Sequence, residues 1–172
     1  GMGGVGKTTL SLAVYNLIAD YFDSSCFLQN VREESNKHGL KHLQTVLLSQ
    51  ILGEKDINLA SVQRGISVIQ QRLRRKKILL ILDDVDNRKQ LQALAGRSYW
   101  FGPGSRVIVT TRDEQVLKCH EIERTYEVKE LNRNDSLQLL MWNAFRREKV
   151  EPSYEDVLKR VVTYASGLPF AL

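Results

Sequence analysis

Cysteine and long apolar runs are scarce in this sequence of 172 residues. Cys26 and Cys119 lie far apart, form no CxxC pair and have no histidine at metal-ligand spacing, which argues against a disulfide framework or a zinc site. The longest apolar run, Ile78 to Leu82, is far below the roughly 18 residues that cross a bilayer. No signal-type segment opens the chain. We therefore expect no membrane span and a reducing compartment.

Charge of one sign is not in large excess either. The 25 Lys and Arg residues against 20 Asp and Glu give a net charge of +5. This balance suits an anionic ligand but is too small to indicate nucleic acid by itself. A hydrophobic content of 42% with 26% charged residues is near the globular average and argues against a disordered chain. The sequence has no internal repeat.

Apolar periodicity predicts strands that alternate with helices, the pattern of a doubly wound α/β domain. The predicted order is a helix from the opening turn towards Tyr21, an edge strand at 26–31, a loop at 32–40, helices near 43–52 and 62–73, a central buried strand at 77–82, a helix at 88–95, a second buried strand at 106–111, and a short strand at 125–128. Only helical patterns follow. We expect an α/β domain over residues 1–131 and the start of an all-α unit over 132–172, with Trp100 and Trp142 as core or subdomain contacts.

The two ends indicate a piece of a longer protein. Gly1 has no methionine before it and already belongs to a glycine-rich turn that normally follows a β-strand. The other end, 167–172, stops within an apolar run. We expect the first strand of the sheet and further domains to lie outside the sequence.

The opening residues GMGGVGKT match the phosphate-binding pattern G-x-x-x-x-G-K-[ST]. Glycines permit positive φ and let backbone N–H groups wrap phosphate oxygens at a helix N-terminus. We expect Lys7 to bridge the β- and γ-phosphates, the Thr8 hydroxyl to bind Mg²⁺ and Thr9 to bond the α-phosphate. A glycine-rich helix cap without a ligand is the alternative. The expected nucleotide-binding residues of this loop are Gly1, Gly3, Gly4, Val5, Gly6, Lys7, Thr8 and Thr9.

Two aspartates follow the central buried strand, where the carboxyl edge of a parallel sheet faces a ligand crevice. Asp83 is placed to hold Mg²⁺ through water, and Asp84 to orient or deprotonate an attacking water. The alternative is that both aspartates begin a turn or cap the helix at Arg88.

Arg112 closes the next buried strand and is expected at the same edge, where a guanidinium could contact a γ-phosphate. Pairing with a local acid such as Asp113 or Glu114 is the alternative. Pro169 either contacts the ligand or ends the last helix as a breaker. The basic run at 72–77 is interpreted as a solvated helix end rather than a nucleic-acid site.

These motifs together resemble the NB-ARC domains of plant disease-resistance proteins of the nucleotide-binding, leucine-rich-repeat type. The segments that carry the resemblance, in family order, are GMGGVGKTT at 1–9, LLILDDVD at 79–86, GSRVIVTTRD at 104–113 and GLPFAL at 167–172. The segment CFLQNVRE at 26–33 and the aspartate at Asp86 resemble the class with an N-terminal TIR domain. Phe170 stands where leucine is more usual.

The resemblance implies a P-loop NTPase sheet, followed by a helical ARC subdomain, that acts as an ADP/ATP switch in defence signalling. It implies a closed ADP form and an ATP form that oligomerises, with at most slow hydrolysis. Lys7 and Thr8 would bind phosphates and Mg²⁺, Asp83 the metal, Asp84 the catalytic water, Arg112 the γ-phosphate, and Pro169 the base. The strand of Arg112 would lie beside the missing first strand.

The implied partners are nucleotide, intramolecular leucine-rich repeats and a TIR domain, and further copies of the active protein, in the cytoplasm or nucleocytoplasm and without nucleic acid. Two other functions stay open. A turnover ATPase of AAA+ type would use hydrolysis as a work cycle, but the sequence shows no arginine finger or pore loop. A decayed receptor is the other, against which intact Lys7, Thr8, Asp83 and Asp84 argue.

Overall fold

The computed structural model describes residues 2–120, 122, 124–146 and 154–172. The chain forms two compact units. One contains Thr8–Arg124, and the other contains residues 2–7 with the described part of Thr125–Leu172. The domain boundary expected at residue 131 stays a prediction. Gly1 lies outside the described residues.

A parallel sheet is the centre of the Thr8–Arg124 unit. Its three strands among the described residues are β1 (Ser24–Leu28), β2 (Ile78–Val85) and β3 (Arg106–Thr111), in the spatial order β1-β2-β3. The β2 residues Ile78 to Leu82 are fully buried, because a central parallel strand is covered on both faces. The predicted α/β class, the central strand and the edge position of β1 are confirmed.

Helices flank this sheet and bury its apolar face. Over the described residues the α-helices are α1 (Lys7–Ile18), α2 (Val31–Leu52), α3 (Val62–Leu73), α4 (Arg88–Ala95), α5 (Glu114–Lys118), α6 (Arg133–Phe145) and α7 (Glu155–Ala165). In the core of the Thr8–Arg124 unit, Leu47 and Leu48 of α2, Ile69 of α3 and Leu94 of α4 pack with β1 and β2. Trp100 belongs to this core, as predicted.

An extra residue interrupts the pairing of β2 with β3 where the two aspartates lie. Leu82 pairs with Val109 and Val85 with Thr111, so β2 advances by three residues while β3 advances by two. Asp84 takes up the extra residue with φ 55° in the left-handed region. Such bulges redirect side chains at the ends of strands. Here the bulge determines where the carboxylates of Asp83 and Asp84 lie.

The other unit contains a small apolar cluster formed by α6 and α7. Leu140 packs with Leu158 and Val162, and Leu172 packs against them. Two expectations for this unit differ from the structure. Trp142 is 63% exposed and is no core contact, while the alternative that it is a subdomain contact stays a prediction. Residues 125–128 form no strand, and the side chain of Tyr126 is 82% exposed. The β-propensity of this segment is not sufficient by itself, because a strand also needs a neighbouring strand to pair with.

One further expectation fails in the Thr8–Arg124 unit. Residues 32–40 are helical up to a break at Gly39 rather than a loop, because Val31 is buried in the core and fixes the start of α2. The strand predicted at 106–111 is present as β3. Among the described strands it pairs with β2, and Val107 is 37% exposed. The family resemblance implies a further strand beside β3, outside this sequence, so the burial of β3 on both faces stays a prediction.

Candidate functional site

The glycine loop before α1 has the backbone that its sequence predicts. Gly4 has φ 83° and Gly6 has φ 91°, in the region that side chains disfavour. The loop leads directly into α1, whose first residue is Lys7. The Lys7 ammonium donates to the carbonyl oxygen of Met2 at 2.6 Å, which holds the cation against the loop. These features fit a phosphate-binding loop at a helix N-terminus.

The residues around Pro169 pack on this glycine loop, within the same unit. The backbone N–H of Phe170 donates to the carbonyl of Gly4 at 3.2 Å. A Cβ atom on Gly4 would lie 3.1 Å from the Cβ of Phe170, and one on Gly6 would lie 3.9 Å from Cγ of Pro169. Gly4 is thus required both by its φ and by this close approach. The structure brings Pro169 to the loop, whereas the sequence left its role open.

Asp83 lies fully buried in the Thr8–Arg124 unit and accepts hydrogen bonds from two threonines. The Thr8 hydroxyl lies 2.9 Å from Oδ1 and 3.1 Å from Oδ2, and the Thr110 hydroxyl donates to Oδ1 at 2.7 Å. Burial of a carboxylate is costly unless such donors compensate it. The donor set, a carboxylate and hydroxyl oxygens, is the kind that Mg²⁺ prefers. Thr8 and Asp83 therefore fit the predicted metal site.

Asp84 is paired with two arginines at the same end of β2. Nη2 of Arg32 lies 2.9 Å from Oδ2, and Nε of Arg112 lies 3.2 Å from Oδ1. The backbone N–H of Asp84 donates to the Thr110 hydroxyl at 2.9 Å. The partner of Arg112 is thus Asp84, rather than the local acids Asp113 or Glu114 considered from the sequence.

The two aspartates do not cap the helix that follows them. Asn87 is the N-cap of α4, and Gln90 completes a capping box with it. This arrangement removes the alternative that the aspartates are needed only to start α4. Of the other predicted loop residues, Thr9 lies in the first turn of α1, and Gly3 and Val5 lie in the loop itself.

Sequence reasoning missed Arg32 and Thr110. Thr110 was noted only as part of the β3 run, although it opposes the aspartates across the bulge. Arg32 follows β1 by four residues, and the carboxyl ends of parallel strands meet at one edge of the sheet. Sequence reasoning applied this rule to the residues after β2 but not to those after β1, where it would have indicated Arg32 as a site residue.

The NB-ARC domain family matches residues 1–150 of the chain. This chain belongs to the NB-ARC family. Among curated proteins, this NB-ARC chain is 42% identical to the disease resistance proteins RPV1 and RUN1 of Vitis rotundifolia, and 43% identical to the TMV resistance protein N of Nicotiana glutinosa. Each alignment covers 100% of this chain but 12%, 13% and 15% of the respective relative. The NB-ARC chain thus spans a small part of these relatives' length.

The family implies nucleotide binding, to which the glycine loop and the buried carboxylate are suited. Within the described ranges, no group of three or more His, Cys, Asp or Glu side chains could hold a metal ion by itself. A Mg²⁺ ion bound through Thr8 and Asp83 would therefore need oxygens from water and phosphate as well. No helix among the described residues is both long and apolar enough to span a membrane.

Proposed function

We propose that this chain is the ADP/ATP-binding switch of a plant immune receptor of the TIR class, with ADP in the off state and ATP in the on state. The observation that carries the proposal is the buried Asp83 carboxylate, which accepts from Thr8, the hydroxyl residue of the phosphate-binding motif. This is the pairing that a P-loop NTPase uses to hold Mg²⁺. The similarity to plant disease resistance proteins supports the immune role.

The proposed roles follow the motif residue by residue. The backbone of Gly1, Gly3, Gly4, Val5 and Gly6 wraps the phosphates. Lys7 neutralises the β- and γ-phosphates, and Thr9 bonds the α-phosphate. Bound Mg²⁺ would neutralise phosphate charge, and Thr8 and Asp83 would hold it.

The remaining roles concern hydrolysis and recognition. Asp84 positions the attacking water, Arg112 binds the γ-phosphate, and Pro169 contacts the base. We propose that hydrolysis is slow and resets the switch.

The wider setting is part of the same proposal. In the whole protein, leucine-rich repeats and a TIR domain contact the switch, and exchange of ADP for ATP permits copies to assemble. A ligand shifts such an equilibrium only as far as its contacts differ between the two states, and only ATP offers a γ-phosphate to Arg112. We place the protein in the cytoplasm or nucleocytoplasm.

The first experiment is mass spectrometry of the nucleotide released when the purified protein is denatured. We expect ADP in near-stoichiometric amounts and negligible turnover of added ATP. The Lys7→Ala protein should release no nucleotide, because the substitution removes the cation that is proposed to bridge the phosphates. Lys55→Ala, which alters an exposed lysine away from the motif, is the matched control.

The other outcomes distinguish the remaining functions. A protein that is isolated empty and hydrolyses ATP steadily would show a turnover ATPase instead of a switch. A folded protein that binds neither ADP nor ATP would contradict the proposal and favour a decayed receptor. Retention of ADP by the Lys7→Ala protein would show that Lys7 is not a nucleotide-binding residue.

A further inference from the structure

Arg32 and Arg112 share one carboxylate, and the two contacts are unequal. Arg32 lies 2.9 Å from Oδ2 of Asp84, with 40% of its side chain exposed. Arg112 lies 3.2 Å from Oδ1, with 54% exposed. The Asp84 side chain itself is 18% exposed. The shorter and less exposed pair is therefore the one with Arg32, and the Arg112 pair is the one that exchanges more easily.

The start of α2 holds Arg32 in place. Val31 is fully buried in the core directly before it. Ser35, one turn further along, accepts a hydrogen bond from the Gln90 side chain at 2.8 Å. Gln90 also donates to the Asp86 carboxylate at 2.7 Å. The first turn of α2 is thus tied to the segment that follows Asp84, which fixes Arg32 relative to that carboxylate.

Arg112 differs from Arg32 in its side chain rather than in its backbone. The backbone on either side of Arg112 is held, because Thr111 is buried and its hydroxyl accepts from the N–H of Asp113 at 3.1 Å. Its guanidinium, however, makes the longer and more exposed of the two contacts with Asp84. Two guanidinium groups on one carboxylate repel each other, and each binds less tightly than it would alone. That repulsion therefore favours departure of Arg112.

We propose that Arg32 is a positioning residue that increases the preference of the site for ATP over ADP. It holds the Asp84 carboxylate through Oδ2 and thereby weakens the ion pair between Oδ1 and Arg112. The inference rests on the proposed function, in which Arg112 binds a γ-phosphate. When Arg112 leaves for that phosphate, Arg32 keeps Asp84 in place and Oδ1 is freed to accept from a water. Arg32 acts through Asp84 and touches no nucleotide.

The test measures equilibrium affinity for ADP and for a non-hydrolysable ATP analogue, and compares their ratio between variants. Arg32→Gln should lower the preference for the ATP analogue by roughly two- to fivefold, the range of a single exposed ion pair, because Asp84 then holds Arg112 more tightly. Arg32→Lys keeps the charge and should return the ratio towards that of the unmodified protein.

A matched control removes an ion pair of the same kind elsewhere. Arg72 at the end of α3 makes two hydrogen bonds to the Glu54 carboxylate, at 2.7 and 2.5 Å, away from the β2 aspartates. Arg72→Gln should leave the affinity ratio unchanged. Circular dichroism of each variant verifies that the fold is retained.

The Asp84→Asn background decides whether Arg32 acts through Asp84. Asparagine tolerates the positive φ of this position but removes the charge that both arginines bind. In that background Arg32→Gln should cause no further change in the ratio. The inference is overturned if Arg32→Gln has no effect in the unmodified protein, or has an equal effect without the Asp84 charge.

Failure of the proposed function gives a different result. If the unmodified protein binds neither nucleotide, both the proposed function and this inference are wrong. If it binds both but Arg112→Gln leaves the ratio unchanged, the γ-phosphate role of Arg112 is wrong and the inference falls with it. If Arg112→Gln alters the ratio and Arg32→Gln does not, only the inference fails.

Discussion

At the scale of single residues, Thr110 joins the two aspartates. Its hydroxyl donates to the buried Asp83 carboxylate and accepts from the backbone N–H of Asp84. One side chain therefore satisfies a buried charge and stabilises the strand bulge beside it. Neither contact follows from the composition of β3, since both depend on the register shift between β2 and β3.

Thr110→Val should lower the free energy of unfolding by about 2–3 kcal/mol, because it keeps the side-chain shape but removes a donor to a buried carboxylate. Urea denaturation measures the change. Thr45→Val is the control, since the Thr45 hydroxyl bonds only the carbonyl of Lys41 within α2. We expect less than about 0.5 kcal/mol there. Equal losses in both variants would contradict the role of Thr110.

Asp84→Asn should slow single-turnover ATP hydrolysis by about 10²-fold or more, because it removes the carboxylate proposed to position the water. Affinity for the ATP analogue should be retained. Quenched-flow measurement of released phosphate tests the expected loss of hydrolysis, and equilibrium binding tests the retained affinity. Loss of ATP binding would show that Asp84 is needed for the fold of the site rather than for hydrolysis.

The two cysteines should differ in reactivity. Cys26 is fully buried in the core, and burial raises the pKa of its thiol to about 12, whereas Cys119 is exposed. Iodoacetamide should label Cys119 in the folded protein and Cys26 only after unfolding, as peptide mass spectrometry would show. Because the folded pKa is the higher one, the stabilisation from Cys26 is complete below about pH 9 and is lost as the pH rises towards 12. Labelling of Cys26 at neutral pH would contradict its burial.

At the scale of elements, α2 shows how a helix can continue across a break. Gly39 has φ 80° and ψ 164° within the range of α2, so its helical hydrogen bonding is interrupted there. The segment before Gly39 contains Arg32, Ser35 and the buried Val31, and the segment after it contains the core leucines. The break thus separates the part of α2 that contacts Asp84 from the part that contains the core leucines.

Gly39→Ala should destabilise the protein by about 2–3 kcal/mol, because φ 80° with ψ 164° is a region used almost only by glycine. Gly53→Ala is the matched comparison. Gly53 ends α2 with φ 70° and ψ 19°, the ordinary left-handed region, where alanine costs about 1 kcal/mol. Neither Cβ would meet an atom within 4 Å. Thermal unfolding of both variants should therefore rank them by backbone strain alone, and the reverse order would be inconsistent with the break at Gly39.

At the scale of the whole molecule, the chain has two compact units with separate apolar clusters. A ligand that binds only the folded protein stabilises it by mass action. Nucleotide binding should therefore be visible in the stability of the protein as a whole.

ADP with Mg²⁺ at 100 times its Kd should stabilise the protein by about 2.7 kcal/mol. For a chain of this size the corresponding rise in Tm is roughly 5–10 °C. Differential scanning fluorimetry measures it. Lys7→Ala should show no rise, and Lys55→Ala should show the full rise. A rise of equal size in Lys7→Ala would mean that the nucleotide binds elsewhere.

The sequence by itself determined the α/β class, the central strand β2, the strand β3 and the helix α4, because apolar periodicity and turn residues act locally. It also determined the phosphate-binding motif, whose spacing fixes its chemistry. The tertiary structure alone decided the helix at 32–38 and the exposure of Trp142, since these depend on what lies beside each element. It also decided the sharing of Asp84 by Arg32 and Arg112. Arg32 lies 52 positions and Arg112 lies 28 positions from Asp84 along the chain. No local sequence pattern encodes the strand register that brings the three side chains together.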